Sequence, residues 1–126
     1  MNASPIRHIL FDLGGTLMHA HGNWLPILEQ GDRALGKELL EHGITIDPKI
    51  FRARLHEYYE QRDKDFRETT YHFVLSELLK ELGYAEVPES VIRSALDALY
   101  SVTQTNWKLE EDVLETPQKL KSQNCN

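Results

Sequence analysis

A single stretch of this 126-residue chain has the pattern of a buried strand, and that constrains its fold more than any other feature. In Ile6–Asp12, the residues Ile6, Ile9, Leu10 and Phe11 make a nearly continuous apolar run, the kind that suits a strand covered on both faces of a parallel sheet. Gly14 and Gly15 follow at once, which favours a strand ending in a loop over a segment of buried helix. No second strand is legible downstream. A strand by itself leaves its backbone N–H and C=O groups unmet along both edges, and burying it in that state is costly. Its partners are expected either from another chain, as in a homodimer, or from sequence beyond Asn126. The second is the favoured expectation, because the chain stops as another unit begins.

After about Gly22 the periodicity becomes helical. A first helix is predicted over Asn23–Glu41, with Pro26 in its first turn and Trp24, Leu28, Leu35 and Leu39 on one face. Gly31 and Gly36 mark a candidate break within it, and Gly43 a stop. Asp47-Pro48 supplies a cap and a first helical position for a second helix carrying Phe51, Leu55, Tyr58 and Tyr59. A third runs from about Glu68 to Leu82, with Tyr71, Leu75, Leu78 and Leu82 as its stripe and Gly83 as its stop. A fourth begins near Pro88 and carries Ile92, Ala95, Leu96 and Leu99. Four amphipathic helices with short connections describe a small bundle. A fifth start follows, with Thr116 as cap, Pro117 at the first position and Leu120 facing inward.

Composition narrows the function classes. With 40% hydrophobic and 27% charged residues the chain reads as globular, with one domain's worth of core. A formal net charge of -6, with Lys and Arg scattered, counts against nucleic acid or an anionic membrane as partner. Arg7, His8 and Asp12 interrupt the N-terminal apolar run, so neither a signal peptide nor a membrane span is expected. Cys125 is the one cysteine, which excludes an internal disulfide and fits a reducing, cytoplasmic location.

The chemistry concentrates in "ILFDLGGTL". A carboxylate at the end of a buried strand, Asp12, stands where open α/β sheets place their ligands, and it suits a nucleophile or a ligand to a hard cation. Gly14 and Gly15 permit a sharp turn and close approach of an anion to the backbone, and Thr16 offers a hydroxyl. Asp before a glycine pair also serves simply as a turn former. Sugar kinases of the actin-like fold carry Asp-x-Gly-Gly-Thr in a phosphate-binding hairpin, but no period-two strand is legible after Thr16. The segment more closely resembles the first motif of the haloacid dehalogenase-like hydrolase superfamily: apolar strand, Phe, nucleophilic Asp, any residue, a usual Asp, then Gly, Thr and Leu. Leu10 to Thr16 fit that pattern apart from Gly14. The layout is similar too, since the subgroup with a helical cap has its helices directly after this motif and then a helix leading to the second core strand.

The resemblance implies an α/β parent fold, with a doubly wound, Rossmann-like core and an inserted helical-bundle cap. This chain would be its mostly α N-terminal part with one strand: residues 1–17 as first strand and catalytic loop, 18–104 as cap, and 105–126 as return linker and start of the next core helix. It implies a phosphatase in which Asp12 attacks phosphorus and forms an aspartyl intermediate on a small phosphorylated metabolite. Asp12 and the Gly14 carbonyl would bind Mg2+, the amides of Leu13, Gly14 and Gly15 would cradle the transferring group, and Thr16 would order the loop. Gly14 stands where the family's proton-transferring Asp is usual, and general acid–base help of that kind is typically worth about 10²–10⁴-fold. The family's later motifs would lie beyond Asn126, so this stretch alone is expected to be inactive. Two other classes remain: the actin-like sugar kinase, and a catalytically degenerate family member that binds a ligand or partner.

His19 and His21 form a His-x-His pair that shares a face on extended backbone. No second ligand cluster supports zinc, and a more modest role is that one of them replaces the acid missing at Gly14. Tyr58, Tyr59, Tyr71 and Phe73 are expected mostly in the bundle core, with one or two facing substrate. Gln61–Glu68 reads as a solvated helix end, and Trp107 as a residue packing cap against core.

Overall fold

The structure is a computed structural model that describes residues 6–123. Among these the chain is mostly helical, with one short sheet, in the order β1 (Met18–Ala20), α1 (Trp24–Glu41), α2 (Pro48–Asp65), α3 (Tyr71–Glu81), α4 (Glu89–Gln104), β2 (Trp107–Leu109) and α5 (Glu115–Ser122). It divides into two compact units. One is Asn23–Thr105, and the described residues on either side of it form the other. Cys125 lies outside the described residues.

The helical unit follows from its caps and stripes. Asn23 accepts a hydrogen bond from the Leu25 amide, Asp47 from Lys49, and Thr70 from Phe73, so three of its four helices open on a side chain that meets an otherwise orphaned N–H. The third helix begins at Tyr71, later than the expected Glu68, because Thr70 is the capping residue. α1 packs most extensively along α4, and α2 and α3 complete the circuit. Leu35, Leu39, Phe51, Leu55, Val74, Leu75, Leu78, Leu79, Ala95 and Leu99 form the interior, each almost wholly removed from water. Truncating any one of these leucines to alanine should cost about 2–5 kcal/mol. Leu82, expected on the inner stripe of α3, is instead its exposed C-cap.

α1 runs unbroken through Gly31 and Gly36, the candidate break in the sequence. The two glycines are contact points. A Cβ on Gly31 would lie 3.3 Å from the Leu99 carbonyl oxygen of α4, and one on Gly36 would lie 3.1 Å from the Pro48 ring. Their missing side chains let α4 and the start of α2 approach the α1 backbone.

The flanking unit departs furthest from the sequence reading. Ile6–Asp12 forms neither helix nor strand, and Leu10 is 97% exposed. Among the described residues no strand lies alongside to complete its ladder. The strand lies further on, at Met18–Ala20, where no strand was legible and which the resemblance assigns to the start of the cap. It pairs antiparallel with Trp107–Leu109 in the register Met18↔Leu109, His19↔Lys108 and Ala20↔Trp107. The last helix opens at Glu115, with Leu114 at the cap position, and takes in Thr116, the expected cap.

Candidate functional site

Asp12 precedes a turn closed almost entirely by its own backbone. The Leu13 carbonyl accepts from the amides of Leu17 at 2.9 Å and Met18 at 3.0 Å, with a longer contact from Thr16 at 3.4 Å. The Gly15 amide donates to the Met18 carbonyl at 2.7 Å, and Gly14 and Met18 form an isolated parallel bridge. Gly15 has φ 75°, the left-handed conformation that glycine adopts without steric cost. Gly14 is not in that region; a Cβ there would meet the Trp107 ring at 3.7 Å, an ordinary contact. Trp107 is therefore placed over the glycine loop from β2, within the flanking unit.

Asp12 itself is exposed. The Thr16 hydroxyl donates to its Oδ2 at 3.4 Å, a distance that orients more than it binds. Thr16 thus stands beside the carboxylate, as a loop-ordering residue would. Of the backbone donors expected to cradle an anion, the Gly15 amide is engaged by Met18, which leaves Leu13 and Gly14 as the candidates. An exposed carboxylate with one oxygen lightly held fits a single hard-cation ligand, and the Gly14 carbonyl is the second implied donor. Among the described residues no three His, Cys, Asp or Glu side chains gather into a metal-binding group, so these two donors make at most part of such a site.

One partner was not legible from the motif. Glu110, immediately after β2, brings its carboxylate within 2.7 Å of His19 Nδ1, and its amide donates to the Leu17 carbonyl at 2.9 Å. The two side chains are 91 positions apart in sequence. His19 sits on β1 and Glu110 follows directly on its partner strand, so strand register brings them together, and no local spacing could have announced it. The His21 amide donates to the Asn106 carbonyl at 2.8 Å, which continues the pairing beyond the ladder.

The helical unit holds a second polar arrangement that the sequence reading missed. Asp32, 3% exposed, receives two hydrogen bonds from Arg52, Nε at 2.8 Å and Nη2 at 2.6 Å. Burial is the largest single influence on Arg52 and lowers its pKa. The hydrogen bond and charge of Asp32, with Tyr71 beside them, together outweigh it and raise the pKa above the ordinary arginine value. Both residues line a cavity of about 550 Å³ together with Arg33, Asp47 and Lys49. The aromatic residues cluster nearby: Tyr71 stacks on Tyr100 at 5.9 Å and meets Phe51 edge-on at 6.1 Å, and Tyr58 meets Phe73 edge-on at 5.6 Å. Burial, then the neighbouring Tyr71, pushes the Tyr59 hydroxyl up to about 12. Tyr58, Tyr59 and Tyr71 pack half-buried against the core, while Phe73 remains 47% exposed.

No helix among the described residues is long and apolar enough to cross a membrane. Comparison with protein-family models and with curated proteins finds no match to the chain.

Proposed function

We propose that this chain is the N-terminal part of a Mg2+-dependent, cytoplasmic hydrolase resembling the haloacid dehalogenase-like superfamily, a phosphatase that acts on a small phosphorylated metabolite through Asp12. In this reading the flanking unit is the first portion of a doubly wound α/β core, and the helical unit is an inserted cap. The observation that carries the proposal is the arrangement around the insertion. The helical unit begins one turn and one short strand after Asp12, and the segments that enter and leave it pair with each other as β1 and β2. Paired connections of this kind bring the entry and exit of the helical unit side by side, the arrangement that an inserted domain uses to leave the segments before and after it free to join one core.

The residues then divide the work. Asp12 supplies the attacking oxygen, and its exposure leaves it open to substrate. Thr16 orients the carboxylate from the same turn. The amides of Leu13 and Gly14 meet the transferring group, with Gly15 holding the turn through Met18. Asp12 and the Gly14 carbonyl would hold Mg2+, which when bound offsets phosphate charge. Gly14 brings no acid, so protonation of the leaving group falls to another residue.

The strand at Met18–Ala20 favours the sugar-kinase reading in one respect, because a strand follows Thr16. Its partner is β2 rather than Ile6–Asp12, so the hairpin that such kinases build around the phosphate is not formed. The test is turnover by the whole protein. Mg2+-dependent release of phosphate that Asp12→Asn abolishes is the expected result, and ATP-dependent phosphorylation of a sugar would overturn the proposal.

A further inference from the structure

Leaving-group protonation is the unfilled role at Asp12, and the flanking unit holds, among its described residues, a hydrogen-bonded imidazole–carboxylate pair suited to it. We infer that His19, oriented by Glu110, is the general acid–base partner of Asp12. This rests on the hydrolase reading and assigns its missing proton donor.

Three observations converge. First, Glu110 Oε1 lies 2.7 Å from His19 Nδ1, which fixes the ring and leaves Nε2 as the nitrogen that exchanges protons. A carboxylate on one ring nitrogen sets the tautomer and stabilises the imidazolium that forms when the other nitrogen takes a proton. Second, both residues are tied to the loop that carries Asp12. His19 directly follows Met18, whose backbone bridges to Gly14, and the Glu110 amide donates to the Leu17 carbonyl. Third, the pair is accessible, with 45% of the His19 side chain and 38% of the Glu110 side chain exposed.

The step balances without an external reagent. Asp12 Oδ bonds to phosphorus as the bond from phosphorus to the leaving oxygen breaks, and that oxygen takes the proton from His19 Nε2 and departs as an alcohol. The neutral ring then accepts a proton from water as the water oxygen bonds to phosphorus. The bond from Asp12 to phosphorus breaks, inorganic phosphate leaves, and both side chains return to their starting forms. Glu110 keeps its charge throughout and acts as a positioning residue.

An alkyl phosphate needs that proton far more than an aryl phosphate whose leaving group is already a stable anion. The experiment therefore measures the whole protein on glycerol 3-phosphate and on 4-nitrophenyl phosphate, with Asp12→Asn, His19→Asn and Glu110→Gln. His19→Asn should lower kcat on the alkyl ester by about 10²–10⁴-fold and on the aryl ester far less. Glu110→Gln should show the same selectivity in smaller measure, in kcat rather than KM. Independently of turnover, ¹⁵N NMR should find the neutral His19 ring protonated at Nδ1, and Glu110→Gln should weaken that preference. If Asp12→Asn is inactive while His19→Asn affects both esters equally or neither, or if His19 carries its proton at Nε2, the assignment to His19 fails and the hydrolase reading stands. Turnover that survives Asp12→Asn, or no turnover in the parent protein, overturns the hydrolase reading and this assignment with it.

Discussion

Asp32 shows how much one buried carboxylate can demand. It is 3% exposed and its charge is met by the two Arg52 hydrogen bonds. Arg52→Met would leave that charge buried without a cation, and should cost about 3–5 kcal/mol in urea unfolding. The double variant Asp32→Leu with Arg52→Met removes both charges and should recover most of the loss; a double variant as unstable as the single would contradict this account. Tyr59 makes a different demand, on pH. Its hydroxyl is raised to about 12 by burial first and by Tyr71 next, against an ordinary value of 10.0. The folded state thus favours the neutral form. Its contribution to stability is complete below pH 10 and is lost as pH rises towards 12. Chemical denaturation across that interval should show falling stability, with a shallower fall in Tyr59→Phe. Tyr100 is raised in the same direction by burial, so part of the slope should persist. Tyr59 was expected at the bundle core and packs half-buried against it, whereas neither Asp32 nor Arg52 was recognised from sequence. Asp32 lies in an ordinary amphipathic helix, and its partner Arg52 belongs to another, so nothing local distinguishes a buried carboxylate from a solvated one.

At the scale of elements, the helices were legible because each signal is local. Asp47 caps within two residues of itself and was read as a cap, Gly83 takes φ 91° just past the end of α3, and the Leu stripes repeat inside single elements, whereas the equally local caps Asn23 and Thr70 were not read as such. The glycines in α1 were misread, because propensity records only their cost to an isolated helix and not the neighbour they admit. Gly31→Ala tests this. An isolated helix would gain nearly 1 kcal/mol from the change. Here the new Cβ meets a backbone oxygen of α4 at 3.3 Å, and backbone yields less readily than the far end of a side chain. A net loss of about 1–3 kcal/mol is expected by thermal or urea unfolding, and a gain would contradict the packing account. The strands illustrate the opposite case. Ile6–Asp12 has strand composition but no partner strand among the described residues, whereas Met18–Ala20, "MHA", has no apolar run and becomes a strand because Trp107–Leu109 lies opposite. Strand formation depends on register with a distant segment, and three residues carry too short a pattern to reveal it.

For the whole molecule, the buried apolar core lies within Asn23–Thr105, while the proposed chemistry lies in the flanking unit. The helical unit therefore has the means to hold itself together, and Asp12 relies on a turn, a short ladder and Trp107. That division is what the proposed reading, a cap inserted into a core, requires. The motif from Leu10 to Thr16 carries the proposed chemistry because its residue types are specific. Its surroundings were not legible in the sequence, since His19 and Glu110 meet only through folding. The most direct test of the account is to mix the whole protein with Mg2+ and a phosphorylated substrate, quench in acid, and map the modified peptide by mass spectrometry. The expected result is one phosphoryl group on Asp12, labile to hydroxylamine and absent in Asp12→Asn. Turnover with Asp12 unmodified, or a phosphoryl group carried by another residue, would contradict it.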